Sequence, residues 1–302
     1  MTKKAKAEAA LLGTTLIWGS TFAVQKMGLE EISPLLLVAC RFSVATAVFL
    51  ALFWRRIFPL QFTAVLKGAL LGFFLFLGFV VQTVGLNSTT ASKSAFITSM
   101  MVVFVPLLQL VVERRSPTLG NAAGVIVVSA GLWLLTSPSG SSFTSGDALT
   151  LLSAVLFAVY IVYLDVVSHD MTTPQLSFLQ SACVAFCSVI SVLLFEDAWW
   201  VPSVRLIGSL VYLTLLATVL TTYIQTRFQK DTTPTRAVII FTVEPVIASV
   251  LAYIILGEEL GMVGLAGGGL IITGILLSEL SDAVPLLGKT LDLSEEDTEV
   301  SP

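Results

Sequence analysis

Residues 237–257 read AVIIFTVEPVIASVLAYIILG, with Glu258 and Glu259 directly behind them. The stretch is almost wholly apolar. As a helix rising ~1.5 Å per residue it is long enough to cross a bilayer core of ~30 Å. Inside it stand one carboxylate, Glu244, and one proline, Pro245. A charge at the centre of a membrane helix costs at least ~2.5 kcal/mol, and proline lacks a backbone donor and kinks a helix interior. A soluble protein could hide one such stretch in its core. Here nine further segments look like it, so the chain reads as a polytopic membrane protein.

Composition agrees. Of 302 residues 56% are hydrophobic and 12% charged, with mean hydropathy +0.94; a typical soluble domain has about 25% charged residues. Long unbroken apolar runs, without alternation at every second residue, point to an all-α membrane protein and away from a barrel. Cys40, Cys183 and Cys187 lie in apolar runs, and an odd number there argues against a disulfide framework or a metal site. His169, beside Asp165 and Asp170, reads as a solvated loop residue.

Ten transmembrane helices are expected, at residues 9–27, 34–54, 68–86, 94–112, 118–136, 147–167, 174–195, 205–228, 237–257 and 260–278. Lys3, Lys4 and Lys6 before an apolar run also suit a signal peptide. Another span, and no small-residue cleavage site with a mature domain, follows, so that alternative is set aside. Residues 137–146, SPSGSSFTSG, are turn and breaker residues and read as a linker. Residues 281–302 form an acidic, polar tail expected to be disordered. With ten spans both termini share one side. Twelve Lys and Arg then fall on that side and three, Lys26, Lys93 and Arg205, on the other, with Arg41 inside a span. The positive-inside rule places both termini in the cytoplasm and the linker outside.

The midpoint linker invites a search for a repeat. Gln82-Thr83 and Gln225-Thr226 are 143 residues apart, as are Thr89-Thr90 and Thr232-Thr233, Gly124 and Gly267, and Gly131 and Gly274. Glu113 and Glu258 match at 145, so gaps intervene. Residues 1–136 and 147–280 then form two five-helix repeats. An odd span number inverts the second copy relative to the first, an arrangement of secondary transporters.

These residues resemble the EamA-type transporters of the drug/metabolite transporter (DMT) superfamily. The first copy carries the resemblance in LIWGSTFAVQKMG (residues 16–28), in Pro34 with Arg41, and between Glu113 and Gly131. The second carries it in FTVEPVIASVLAYIILGEEL (residues 241–260) and in Gly267 and Gly274. Glu-Pro followed about fourteen residues later by Gly-Glu is the most specific part. The first copy departs from the pattern around Ser99, where proline is common, has Pro106 late, and reads VVERR in place of Gly-Glu. The resemblance implies ten helices, alternating access, and movement of small metabolites (amino acids and derivatives, nucleosides, organic acids or toxic compounds), commonly outward.

Several residues invite a functional reading beside a structural one. Arg41, seven residues into its span, could instead snorkel to the near surface. Glu258 and Glu259 suit solvated or capping roles. Gly120-x-x-x-Gly124, Gly257-x-x-x-Gly261 and Gly264-x-x-x-Gly268 suit close helix packing. Mid-span Trp18 and the neighbouring Ser20 are candidates for a substrate pathway, as are Gln82 and Gln225 at matched repeat positions. Tyr160 and Tyr163, three apart on one helix, should share a face. For Glu244 three roles stand open: bracing a kink at Pro245 against another helix, carrying a proton, or contacting substrate. Pro245 itself would free the Phe241 carbonyl.

The function expected is secondary active transport of small organic metabolites, with export of amino acids or related compounds favoured. A channel and a membrane-embedded enzyme are the alternatives. The sequence has no H-E-x-x-H and no P-loop. Expected partners are a small-molecule metabolite and the lipid bilayer, with a proton as candidate coupling ion. No nucleic acid and no cofactor are expected. The location expected is the inner (plasma) membrane.

Overall fold

The computed structural model describes residues 2–113, 119–136 and 143–280. Arg114, Arg115, most of the linker and the acidic tail lie outside them. In chain order the helices are α1 (Lys3–Leu29), α2 (Pro34–Ile57), α3 (Phe62–Asn87), α4 (Ala91–Ser99), α5 (Met101–Glu113), α6 (Leu119–Thr136), α7 (Ser145–Ser168), α8 (Thr173–Phe195), α9 (Val204–Val211), α10 (Thr221–Phe228), α11 (Pro234–Phe241), α12 (Glu244–Leu256) and α13 (Gly261–Leu280). A π-helical segment, Tyr212–Leu220, joins α9 to α10. Among the described residues, eight helices are long and apolar enough to cross a membrane. The protein is a multi-pass integral membrane protein.

The helix ends follow local chemistry. Thr2, Thr90, Thr144, Ser203 and Thr233 are N-caps whose hydroxyls accept from a backbone N–H three residues on, which satisfies donors that the helix leaves open. Pro34, Pro174 and Pro234 stand in first turns, where no helix bond is lost. Gly257 (φ 66°) and Gly261 (φ 63°) bound the turn between α12 and α13. A Cβ at either would meet nothing, so these two glycines are turn-formers, not the packing face their spacing suggests. That positive φ is what selects glycine there.

Two long helical stretches are interrupted near mid-length, residues 91–113 and 234–256. In the first, Met100 N bonds Ile97 O at 3.1 Å; in the second, Val243 N bonds Ile240 O at 3.4 Å. Both are three-residue bonds that tighten the turn. Pro245 therefore does not kink a helix interior. It sits in the first turn of α12, where its missing N–H costs nothing.

Glycines set the closest approaches. A Cβ at Gly131 of α6 would lie 2.7 Å from Gly267 O of α13, and one at Gly274 would lie 2.9 Å from Gly124 O. The backbones of α6 and α13 thus meet through the two glycine pairs that repeat at 143 residues. At Gly72 a Cβ would lie 2.7 Å from Gln180 O, which fixes α3 against α8. Further packing runs α1 on α12, α7 on α4 and α5, α2 on α8 and on the π segment, and α3 on α7 and α8.

Cross-helix ties divide between two ends. At the end bearing the α1–α2 and α3–α4 turns, Glu196 accepts from Leu35 N and Leu36 N at 2.9 Å each, and Glu258 accepts from Ala91 N (2.8 Å) and Ser92 N (3.0 Å). Lys26 donates to Leu86 O and Thr89 O at 2.7 Å each. At the end bearing Lys3, Lys67 meets Asp170 at 2.5 Å and Arg236 meets Glu8 at 3.2 Å. These are called below the linker end and the terminal end.

Candidate functional site

Between the two interrupted stretches lies a cavity with about 640 Å³ of empty space, its open mouth included. Trp18, Arg41, Gln82, Tyr160, Gln225 and Glu244 all line it. The break at Thr242–Val243 puts Glu244 there, as the first residue of α12, while Met101, the first residue of α5, faces the same space. Trp18 stacks edge-on against Phe241, ring centroids 5.2 Å apart.

Arg41 is buried, 2% exposed, and does not snorkel to the surface. Its Nε donates to Thr218 Oγ1 at 2.5 Å, Nη2 to Ala217 O at 3.0 Å and Nη1 to Gln25 Oε1 at 3.4 Å. The guanidinium lies 4.7 Å from the Phe79 ring centroid, within range of a cation–π attraction. Ala217 and Thr218 belong to the π segment, a helix form that recurs at functional sites. Every one of these contacts is neutral, so the cation's charge has no counter-ion among the described residues. The expectation of surface relief failed because neutral acceptors and aromatic faces inside the bundle hold the charge instead.

Glu244 presents the opposite case. It is 8% exposed, and among the described residues its carboxyl takes part in neither a hydrogen bond nor an ion pair. The bracing role has no partner there. Its backbone start, at a helix N-terminus, favours negative charge.

Buried amides hold the lining residues Tyr160 and Gln225 from behind. Tyr160 OH donates to Gln180 Oε1 at 2.8 Å, Gln180 Nε2 to Thr226 Oγ1 at 3.0 Å, Gln225 Nε2 to Gln229 Oε1 at 3.0 Å, and Gln229 Nε2 to Ile161 O at 2.9 Å. Of the lining residues Gln82 donates to Thr98 Oγ1 at 3.1 Å, and outside the lining Gln25 donates to Thr83 Oγ1 at 2.9 Å. The matched pair Thr83 and Thr226 thus each accept from a glutamine.

Three candidates fall elsewhere. Ser20 Oγ donates to Ile17 O at 2.6 Å and bonds Tyr212 OH at 2.5 Å, away from the cavity lining. Tyr163 lies edge-on to Phe74, 6.4 Å between centroids. Three residues on a helix turn a side chain by about 60° from its neighbour, enough to send Tyr160 into the cavity and Tyr163 onto α3. Pro245 is buried next to the lining residue Glu244 without itself lining the cavity. Gln25, Gln180 and Phe79 were missed. The two glutamines carried the same signal as Gln82, a polar residue inside an apolar run; Phe79 carried none.

The ends are wired by ordinary electrostatics. Ser203 Oγ donates to Glu31, and together with Arg205 this holds the Glu31 carboxyl below its usual range. The Lys67 ammonium does the same for Asp170.

Known proteins agree with this picture. The model of the EamA-like transporter family matches residues 5–137 and 144–280. An uncharacterized transporter of Archaeoglobus fulgidus is 30% identical over 278 residues, 92% of this chain and 87% of that protein. The uncharacterized inner membrane transporter YedA of Escherichia coli is 25% identical over 285 residues, 90% of each chain. YwfM, an uncharacterized transporter of Bacillus subtilis, is 25% identical, covering 88% of this chain and 91% of its own. A solved structure titled "Crystal structure of protein" superposes with a TM-score of 0.70 at 18% identity, over 92% of this chain and 97% of that one, a likeness of fold. The chain belongs to the EamA-like transporter family.

Proposed function

We propose that this membrane transporter is a secondary carrier of small zwitterionic metabolites, amino acids or related compounds, exported by alternating access. The observation that carries the reading is the pairing of Arg41 and Glu244. One cavity holds a buried guanidinium and a buried carboxyl group, and neither is paired with an opposite charge of the protein among the described residues. Burying a charge without a partner is costly, so a solute bearing both signs fits better than a purely cationic or anionic one. Its carboxylate would face Arg41, its ammonium Glu244, and its side chain the rings of Trp18, Phe79 and Phe241.

Alternating access in this reading rests on ten spans arranged as two inverted five-helix repeats, residues 1–136 and 147–280. Support comes from the packing. Exchanging the copies maps α1 on α12 to α7 on α5, and α3 on α8 to the π segment on α2. Both termini are cytoplasmic on the charge count. Net outward movement follows the habit of similar transporters. Tracer counterflow in proteoliposomes tests the carrier. A carrier concentrates labelled amino acid transiently against unlabelled amino acid inside, whereas a channel passes it only down its gradient. Absence of counterflow with every zwitterion tried overturns the reading.

A proton is the second reading for Glu244, favoured by its unpartnered carboxyl. Under that reading Glu244→Gln abolishes the response of transport to a pH gradient. Under substrate contact alone, the remaining transport keeps that response.

A further inference from the structure

The 143-residue offset relates more than sequence. Thr90 and Thr233, 143 apart, cap α4 and α11, accepting from Lys93 N at 3.2 Å and Arg236 N at 3.3 Å. Lys93 and Arg236 are thus the third residues of matched half-helices, one at the linker end and one at the terminal end. Each reaches an acid near the start of a helix of the opposite repeat. Lys93 Nζ lies 3.7 Å from Asp147 Oδ2 of α7, and Arg236 Nη1 lies 3.2 Å from Glu8 Oε1 of α1. Glu8 stands one turn further into its helix than Asp147 does.

The two pairs differ in surroundings. The side chains of Lys93 and Asp147 are 9% and 0% exposed, those of Arg236 and Glu8 52% and 32%. Every residue of α4 is buried, whereas in α11 only Pro234, Ala237, Val238 and Phe241 are. The linker end carries a further tie, Glu258 on Ala91 N, Ser92 N and Ser92 Oγ. Both half-helices end at the breaks, Met100 and Thr242–Val243, and residues on either side of each break line the cavity: Thr98 and Met101, Phe241 and Glu244.

We propose that Lys93–Asp147 and Arg236–Glu8 are paired locks on the two mouths of this cavity, buried alternately as α4 and α11 swing about their breaks. The structure then holds the linker-end lock shut and the terminal-end lock open. An ion pair in solvent contributes little, whereas breaking a buried one is strongly unfavourable. Removing one partner of a pair therefore penalises only the state that buries the other, so an intact pair is what permits its own mouth to close. A solute touching both breaks couples occupancy to the locks. The inference rests on the transporter reading, so the test uses a readout that needs no solute.

The full chain, freed of its native cysteines, receives Thr222→Cys in the cavity and is reconstituted in proteoliposomes. An impermeant thiol reagent is applied from one side at a time. Ser88→Cys and His169→Cys, exposed on the linker-end and terminal-end turns, mark which side is treated. Lys93→Gln and Glu258→Gln should each raise linker-side labelling of Cys at 222 by about tenfold, the effect of ~1.4 kcal/mol. Arg236→Gln should lower linker-side labelling, because it weakens only the alternative state. Two independent linker-end variants guard against a folding defect in one. Shifts in the same direction for Lys93→Gln and Arg236→Gln, or no shift in either, overturn the paired locks even where counterflow persists. Loss of counterflow with opposite shifts intact overturns the carrier reading and leaves the locks standing.

Discussion

The two interrupted stretches, 91–113 and 234–256, have the same geometry and different chemistry. Each begins at a threonine cap, breaks nine or ten residues later through a three-residue backbone bond, and resumes facing the cavity. At the resumption one has Met101 and the other Glu244, 143 residues apart. Proline follows one break directly, as Pro245 in the first turn of α12, and the other only five residues after Met101, as Pro106 inside α5, so a proline at the break is not common to the two. The two breaks share a place in the fold, and the residue after each decides what the cavity is offered: a soft apolar thioether at Met101, a carboxyl group at Glu244. The cation comes from elsewhere in the first repeat, Arg41 of α2. Two matched breaks thus carry unlike groups, which under the proposed function suits a solute with two unlike ends.

The sharpest way to break this comparison is to erase the difference. Glu244→Gln is expected to lower transport about 30-fold or more, the scale for losing a buried charged contact. Met101→Gln, at the matched position, is expected to change it less than about threefold. Initial rates in vesicles with matched expression decide it; equal losses would mean that the two breaks are chemically equivalent.

Next in size is Arg41→Lys. Lysine keeps the charge but cannot hold Thr218, Ala217 and Gln25 with one planar fork while covering Phe79. A loss of about tenfold is expected, mostly in apparent affinity. Wild-type affinity in the lysine variant would show that charge alone is recognised.

Pro245→Ala probes the break itself. Because Pro245 lies in the first turn of α12, the change is expected to cost about 1 kcal/mol or less, read as a small drop in thermal midpoint. A large loss would restore proline as the cause of the break.

The smallest effect concerns the linker end and pH. Glu31 has its carboxyl lowered, first by Ser203 and then by Arg205. Its stabilisation is therefore full above the unfolded carboxylate pKa and fades as pH falls through the lowered value. Glu31→Gln should lower stability slightly at neutral pH, where this contribution is full, and converge with the wild type as pH falls below the lowered value. A change centred above neutral pH would contradict the assignment.

These contrasts also explain what the sequence could disclose. Membrane class and eight of the ten expected spans were legible, because twenty apolar residues in a row have few other uses. Cavity residues such as Gln82, Gln225 and Glu244 were legible because polarity inside an apolar run is costly. The break at Met100 was not, since nothing in TSMMVV signals a turn and the nearest proline, Pro106, lies five residues beyond Met101. Arg41 was misplaced for a related reason: its neutral partners come from the π segment 170 or more residues away, and no local pattern announces them. Gly257 and Gly261 have the spacing of a packing motif, and only their positive φ reveals turn-formers.

The central claim, that Arg41 and Glu244 together read a zwitterion, has one direct test. Counterflow is measured in proteoliposomes for an amino acid, its N-acetyl derivative and its amide, with wild type and Glu244→Gln side by side. The expected result is strong preference of the wild type for the intact amino acid. In Glu244→Gln the penalty for N-acetylation should shrink about tenfold or more, while the penalty for amidation, which Arg41 senses, stays. Equal rates for all three solutes in the wild type, or an unchanged N-acetyl penalty in the variant, would contradict it.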